Sequence, residues 1–209
     1  MNKTPKDFLD RLAKEHPDLA ECSETIWQIF ELLRNCFENG GKLLLCGNGG
    51  SAADCEHIVG ELMKGFLMSR PVPEDFAAHP ALDGEGELLQ GALPAISLVG
   101  QSSLATAFAN DVDPEMVFAQ QVYGLGRPGD VLLGLSTSGN AGNVCRALRV
   151  AQAVGMKTIG FTGASGGQMT SLCDLCLQVS ATETYQVLEL HLPAYHALCA
   201  MLETAFFGR

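Results

Sequence analysis

"KLLLCGNGGSAADCEHIVGEL" (residues 42–62) passes from an apolar run into four small polar residues, Asn48-Gly49-Gly50-Ser51, and then into a stretch of helical character. The run 42–47 is short, apolar and bounded by glycine, which predicts a strand buried on both faces. Ser51 is a good N-cap for a helix over residues 52–66. Within that helix His57 and Glu61 stand at i and i+4, about 40° apart on the wheel, and so share a face. One end of this unit is suited to an anion. The other is suited to a proton or a metal.

The pattern recurs along the chain. "LPAISLVG" (93–100) reads as a strand followed by a helical stretch from about Ser103 to Phe108. "DVLLGLSTSGNAGNVCRALRVAQAVG" (130–155) reads as strand, polar loop and helix, and "KTIGFTGASGG" (157–167) as strand and loop. "DLCLQVS" (174–180) is a last strand, and "TETYQVLELHLPAYHALCAMLETAFF" (182–207) closes as a long helix with a core pattern of Leu188, Leu192, Tyr195, Leu198 and Leu202. Before the first strand, residues 5–38 carry apolar positions at helical spacing (Phe8, Leu9, Leu12, then Ile26, Ile29, Phe30, Leu32, Leu33 and Phe37). Pro17 divides them into two helices, and "ENGGK" stops the second. Strands alternating with helices predict an α/β fold, a mostly parallel sheet with helices on both faces. Three strand ends then lead into Gly/Ser/Thr-rich loops on one rim, where such sheets bind ligands. Residues 68–94, rich in Pro, Gly and acid and without a period, read as a long irregular excursion.

The chain has 209 residues, 47% of them hydrophobic, which supports a sizeable core. A formal net charge of −11 argues against nucleic acid and against an anionic membrane as partners. The start, "MNKTPKDFLDRLAKEH", is charged and lacks the apolar core of a secretory signal, and no run of residues is long and apolar enough to span a bilayer. The expectation is a cytoplasmic protein whose eight cysteines are reduced thiols, packed as small hydrophobes. Cys173 and Cys176 form one C-x-x-C with no second pair beside it, which reads as packing rather than as a zinc or redox site.

"STSGN" (136–140) places three hydroxyls and a glycine between a buried strand and a helix beginning near Ala141. Hydroxyls donate to phosphate oxygens, glycine lets the backbone approach, and a helix N-terminus offers free N–H groups. No Lys or Arg is required, and neither loop has the P-loop or dinucleotide spacing. Ser, Thr and Gly also serve as ordinary caps and turns. Two such loops in one sheet, with an acid–base pair behind one of them, favour phosphate binding. His196, on or beside the apolar stripe of the last helix, is either a satisfied core histidine or a partner for His57 and Glu61. Two histidines and a carboxylate can hold zinc with an open position, and a carboxylate beside an imidazole can move a proton between adjacent sugar carbons.

The stretches "CGNGGSAADCEHIVGEL", "ANDVDPE", "RPGDVLLGLSTSGNAGNV", "GMKTIGFTGASGGQM" and "LELHLPAYHAL" occur in the same order as in a known family. Together they resemble the bacterial phosphoheptose isomerases, sugar isomerase (SIS) domains that convert sedoheptulose 7-phosphate into heptose 7-phosphate for lipopolysaccharide. The resemblance implies one SIS domain over residues 1–209, a three-layer, flavodoxin-like sandwich with a five-stranded parallel sheet. Residues 1–40 would be a helical extension packing on the domain and in the oligomer. It also implies a homotetramer with active sites between subunits, and one zinc ion per subunit. Carried over by position, Asn48, Gly49, Gly50, Ser51, Asn110, Asp111, Ser136, Thr137 and Ser138 would meet the sugar phosphate. Glu61 and His196 would be catalytic, and His57, Glu61 and His196 would bind the metal.

The chain departs from the family's pattern at several places. Leu188 stands where the family has a glutamine ligand, which makes Glu189 or water a candidate fourth ligand. Pro193 interrupts the same helix. Ala141 replaces a serine, Lys64-Gly65-Phe66 replaces a basic motif, and residues 68–94 are longer than the usual link. Some relatives of the family are non-catalytic partners of the replication initiator, and other SIS domains sense phosphosugars. The presence of both Glu61 and His196 favours an enzyme.

Overall fold

The computed structural model describes residues 3–208. Helix α1 (Pro5–Glu15) starts at Thr4, whose backbone N–H donates to the Asp7 carboxylate at 2.6 Å, with Pro5 pre-set for the first turn. Pro17 ends it and opens a 3-10 segment, Pro17–Cys22, that leads into α2 (Ser23–Glu38). Then follow β1 (Leu43–Gly47), α3 (Gly50–Met63), the one-turn α4 (Glu74–Ala77), β2 (Ala95–Ser97), α5 (Ser102–Asp111) and α6 (Val117–Leu125). The chain closes with β3 (Val131–Leu135), α7 (Gly142–Val154), β4 (Lys157–Thr162), the one-turn α8 (Met169–Leu172), β5 (Leu175–Gln178) and α9 (Thr184–Phe207).

All five strands pair in parallel, in the order β2-β1-β3-β4-β5. The expected α/β sandwich is therefore present, and its central strands β1 and β3 are apolar and buried throughout because both faces are covered. Alternation within β1 shows this directly. Leu43 and Leu45 join the core formed with α1, α2, α3 and α9, while Leu44 and Cys46 join the core formed with α6 and α7.

The apolar face of the N-terminal helices is satisfied within the chain. Phe8, Leu9, Leu12, Ile26, Ile29, Phe30, Leu33 and Phe37 are all buried in the core that contains α9. At about 1.5–3 kcal/mol for each such side chain, this anchorage is substantial.

Three local expectations are corrected. Helix α3 begins at Gly50, with Gly49 rather than Ser51 as its cap, and it ends at Met63 rather than Phe66. Pro193 does not interrupt α9. It removes only one N–H, the donor to the Glu189 carbonyl, and Glu189 lies on the exposed side. Helix α6 carries five buried residues and was not read from the sequence.

The 68–94 excursion is irregular in its middle, where only Gly86 is buried among its short turns. Its base is ordered. Pro71 bridges Gln90, the Gly91 N–H donates to the Arg70 carbonyl at 2.6 Å, and Gln90 Oε1 accepts the Gly65 N–H at 2.7 Å. Arg70 itself is 1% exposed. Its Nε donates to Glu203 Oε1 at 2.7 Å, and its Nη1 and Nη2 donate to the carbonyls of Leu62 and Glu61 at 2.8 and 2.9 Å. Glu203 in turn accepts the N–H groups of Phe66 and Leu67 at 2.8 Å each. One buried ion pair thus satisfies carbonyls at the end of α3 and fixes α3 to α9.

All eight cysteines are free thiols. Burial pushes the Cys173 and Cys176 thiols above the ordinary cysteine value, so both stay protonated, as packing residues do. Among the described residues, no helix is long and apolar enough to cross a membrane.

Candidate active site

The strand order fixes where a ligand can enter. From β1 the chain runs out to β2 at the sheet edge and comes back on the other side of β1 as β3. The crevice beyond the C-terminal ends of β1 and β3 is therefore the topological switch point. Residues 48–51 follow β1 and residues 136–140 follow β3, so the two polar loops flank that crevice.

Gly49 makes the turn from strand to helix at φ 56 and ψ −121, a conformation other residues rarely adopt. Gly50 lies against the Leu188 side chain, whose Cδ1 would be 2.6 Å from a Cβ at that position and would have to move aside. Leu188, in place of the family's glutamine, closes on this loop and offers the site no donor atom. Ser51 is buried in the first turn of α3. The side chains of Asn48 and Asn143 exchange two amide hydrogen bonds of 2.9 Å each and tie the first loop to the first turn of α7. Asn143 was absent from the sequence-based set, although it lies in the same Gly/Asn-rich stretch.

In the second loop, Ser136 is buried and its Oγ accepts the Ala141 N–H at 3.3 Å. Ser138 Oγ accepts the Asn140 N–H at 3.2 Å and lies 3.5 Å from Ser136 Oγ. Thr137 and Ser138 line a cavity with Ala164, Ser165, Thr182 and Thr184. Ser165, in the loop after β4, and Thr182 and Thr184, after β5, were not among the residues nominated from the sequence. Asn110 and Asp111, at the end of α5, are exposed, and Asn110 Nδ2 donates to Asp111 Oδ1 at 2.8 Å. The chain's own fold does not bond them to the two loops or to the histidines.

The acid–base residues do converge. His57 Nε2 lies 3.2 Å from Glu61 Oε1 and 3.4 Å from His196 Nε2. Helix α3 supplies the first two residues and α9 the third, and the contact between these helices brings them together. The three donor atoms lie within 4.8 Å of one another. Glu61 Oε2 is buried and has no hydrogen-bond partner among the described residues. Two imidazole nitrogens and a carboxylate oxygen around one point fit a zinc ion with an open position. Glu189 does not join them. It lines a groove with Asp18, Ser180 and Gln186 instead.

Burial foremost, and then the neighbouring His57, hold His196 below the ordinary histidine value, while Glu61 pulls the other way. Behind His57, Tyr195 Oη lies 3.0 Å from His57 Nδ1 and donates to Asp54 Oδ1 at 3.2 Å. Burial pushes the Asp54 carboxyl upward, against the Tyr195 hydrogen bond and the His57 charge.

A parallel sheet of this order with hydroxyl-bearing loops at its switch point is a doubly wound α/β domain built to take a polar ligand. The SIS domain family matches residues 8–163. The phosphoheptose isomerase of Desulfovibrio desulfuricans is 44% identical over 82% of this chain and 72% of its own length. That of Trichlorobacter lovleyi is 38% identical over 97% of this chain and 93% of its own. Among solved structures, the phosphoheptose isomerase of Neisseria gonorrhoeae aligns with a TM-score of 0.75 at 33% identity, covering 94% of this chain and 93% of that one. The Francisella tularensis enzyme aligns with a TM-score of 0.74 at 32% identity, over 87% and 86% of the two chains. The chain belongs to the phosphoheptose isomerase family.

Proposed function

We propose that the protein converts sedoheptulose 7-phosphate into D-glycero-D-manno-heptose 7-phosphate, and that it does so as a cytoplasmic homotetramer holding zinc. The observation that carries this reading is the convergence of Glu61, His57 and His196 in a chain of this family. His57 lies seven residues along α3 from Gly50, about 10 Å by helical rise, a distance an open-chain sugar phosphate spans. With the phosphate among the hydroxyls of residues 136–138 and the helix N-termini, the carbonyl end reaches the cluster.

The reaction removes a proton from C1 of the ketose and returns one to C2 through an enediol. Glu61 is suited to the carbon-bound proton. Its Oε1 faces the imidazoles at the site, while the buried Oε2 has no hydrogen-bond partner among the described residues to satisfy the carboxylate's charge. His196, held toward its neutral form, serves the oxygen protons. Zinc, when held by His57, Glu61 and His196, would polarise the carbonyl oxygen. A non-catalytic SIS protein needs no such converging pair. The tetramer rests on the resemblance and on large apolar side chains left exposed, such as Tyr123 and Val112. Eight free thiols suit a reducing compartment.

The test is turnover of a panel of C5–C7 ketose phosphates together with metal analysis of the purified protein. The seven-carbon substrate is expected to turn over best, and conversion of none of the panel would contradict the reading. Ser138→Ala is expected to raise KM roughly 10- to 100-fold, the loss of a donor to a charged oxygen worth about 1.5–3 kcal/mol. An unchanged KM would remove Ser138 from the phosphate site.

A further inference from the structure

We infer that Tyr195 is a positioning residue which, with Asp54 behind it, holds His57 in its Nδ1–H form and so presents the Nε2 lone pair to the site. This rests on the reading of His57 as a site residue given above. Tyr195 sits on the buried stripe of α9 between Ala194 and Leu198 and is 1% exposed. A phenylalanine would fill the same space without any polar partner. The hydroxyl instead stands between Asp54 Oδ1 at 3.2 Å and His57 Nδ1 at 3.0 Å.

With Asp54 ionised and His57 neutral, counting protons decides the direction. The phenol has one proton, and a carboxylate only accepts. The Tyr195 proton therefore goes to Asp54, and His57 Nδ1 must be the donor to the phenol oxygen. A neutral imidazole carries one N–H, so Nε2 is left with its lone pair. Nε2 is the atom that faces Glu61 Oε1 and His196 Nε2. An acceptor nitrogen opposite a carboxylate oxygen is unfavourable until a cation or a proton stands between them, which is the state a metal ligand requires. The reverse order would set the phenol oxygen against Asp54 Oδ1 with no proton between, while Asp54 Oδ2 already lacks a partner. Because Leu188 contributes no ligand, three side chains must hold the ion, and the orientation of His57 matters correspondingly more.

The test is Tyr195→Phe, which keeps the ring and its packing. Two quantities are read: the ¹⁵N shifts of His57 in histidine-labelled, metal-free protein, assigned through His57→Gln, and zinc affinity by competition with a chromogenic chelator. Wild-type His57 is expected as the Nδ1–H tautomer. In Tyr195→Phe that preference is lost and zinc affinity falls roughly 10- to 100-fold. Asp54→Asn, which keeps an acceptor, should stay near wild type, and Asp54→Ala should follow Tyr195→Phe. A wild-type His57 in the Nε2–H form overturns the inference. So does a Tyr195→Phe protein that loses only thermal stability, with tautomer and zinc affinity unchanged. If wild-type protein takes up no zinc yet the tautomer responds as expected, the zinc reading fails and the inference stands.

Discussion

His57 and Glu61, paired by helical spacing, and His196, added by the family resemblance, lie around one point. The sequence left His196 open as either a core histidine or a site residue. In the structure the core histidine is His191. It is 0% exposed, with Nε2 3.3 Å from the Thr162 carbonyl and Nδ1 unpartnered. It was illegible because an imidazole breaks an apolar pattern. The apolar spacing through Leu188, Leu192 and Tyr195 therefore includes Leu192, which is 39% exposed, and passes over Val187, His191 and Ala194, which are buried. Burial pushes His191 down to about 4 from the ordinary 6.5. Its neutral form is the one the fold accepts, so the unfolded chain binds the proton first as pH falls. The associated stability is fully present above pH 6.5 and is lost progressively down to about pH 4, up to about 3 kcal/mol in all. Urea unfolding at pH 7 and pH 5 should show this loss in the wild type and a flatter dependence in His191→Leu. An identical dependence in both proteins would contradict it.

The central strands β1 and β3 were the most legible elements, because burial on both faces writes them as unbroken apolar runs. Helix α6 and the start of α3 were less so. The first packs a Gln121 among its buried residues, and the second depends on a backbone angle at Gly49 that composition does not display. The ordered base of the 68–94 excursion was hidden because arginine is ordinarily exposed, and nothing local pairs Arg70 with Glu203, 133 residues away. Removing one partner of a buried ion pair strands the other. Arg70→Ala is therefore expected to cost about 3–5 kcal/mol, and it also frees the carbonyls of Glu61 and Leu62 at the end of the helix that carries the site. Denaturant unfolding measures it, and a loss below about 1 kcal/mol would show that the pair does not hold α3 to α9.

For the molecule as a whole, the acidic charge and the anionic substrate are compatible because hydroxyls, amides and helix ends supply the phosphate contacts. Oligomeric state was the least legible property. The apolar faces of α1 and α2 close on α9 of their own chain, and Asn110 and Asp111 bond each other rather than the loops. A homotetramer predicts a light-scattering mass four times the 22.2 kDa chain at micromolar concentration, and a monomer would rule it out. The central claim is that Glu61 moves the carbon-bound proton of a heptose phosphate. The most direct test is turnover of sedoheptulose 7-phosphate in D2O by wild type and by Glu61→Gln, with deuterium at C2 of the aldose followed by NMR. Wild type should form labelled aldose, and Glu61→Gln should keep its fold and assembly while forming none. A Glu61→Gln protein that still forms labelled aldose at near-normal rate would contradict the account.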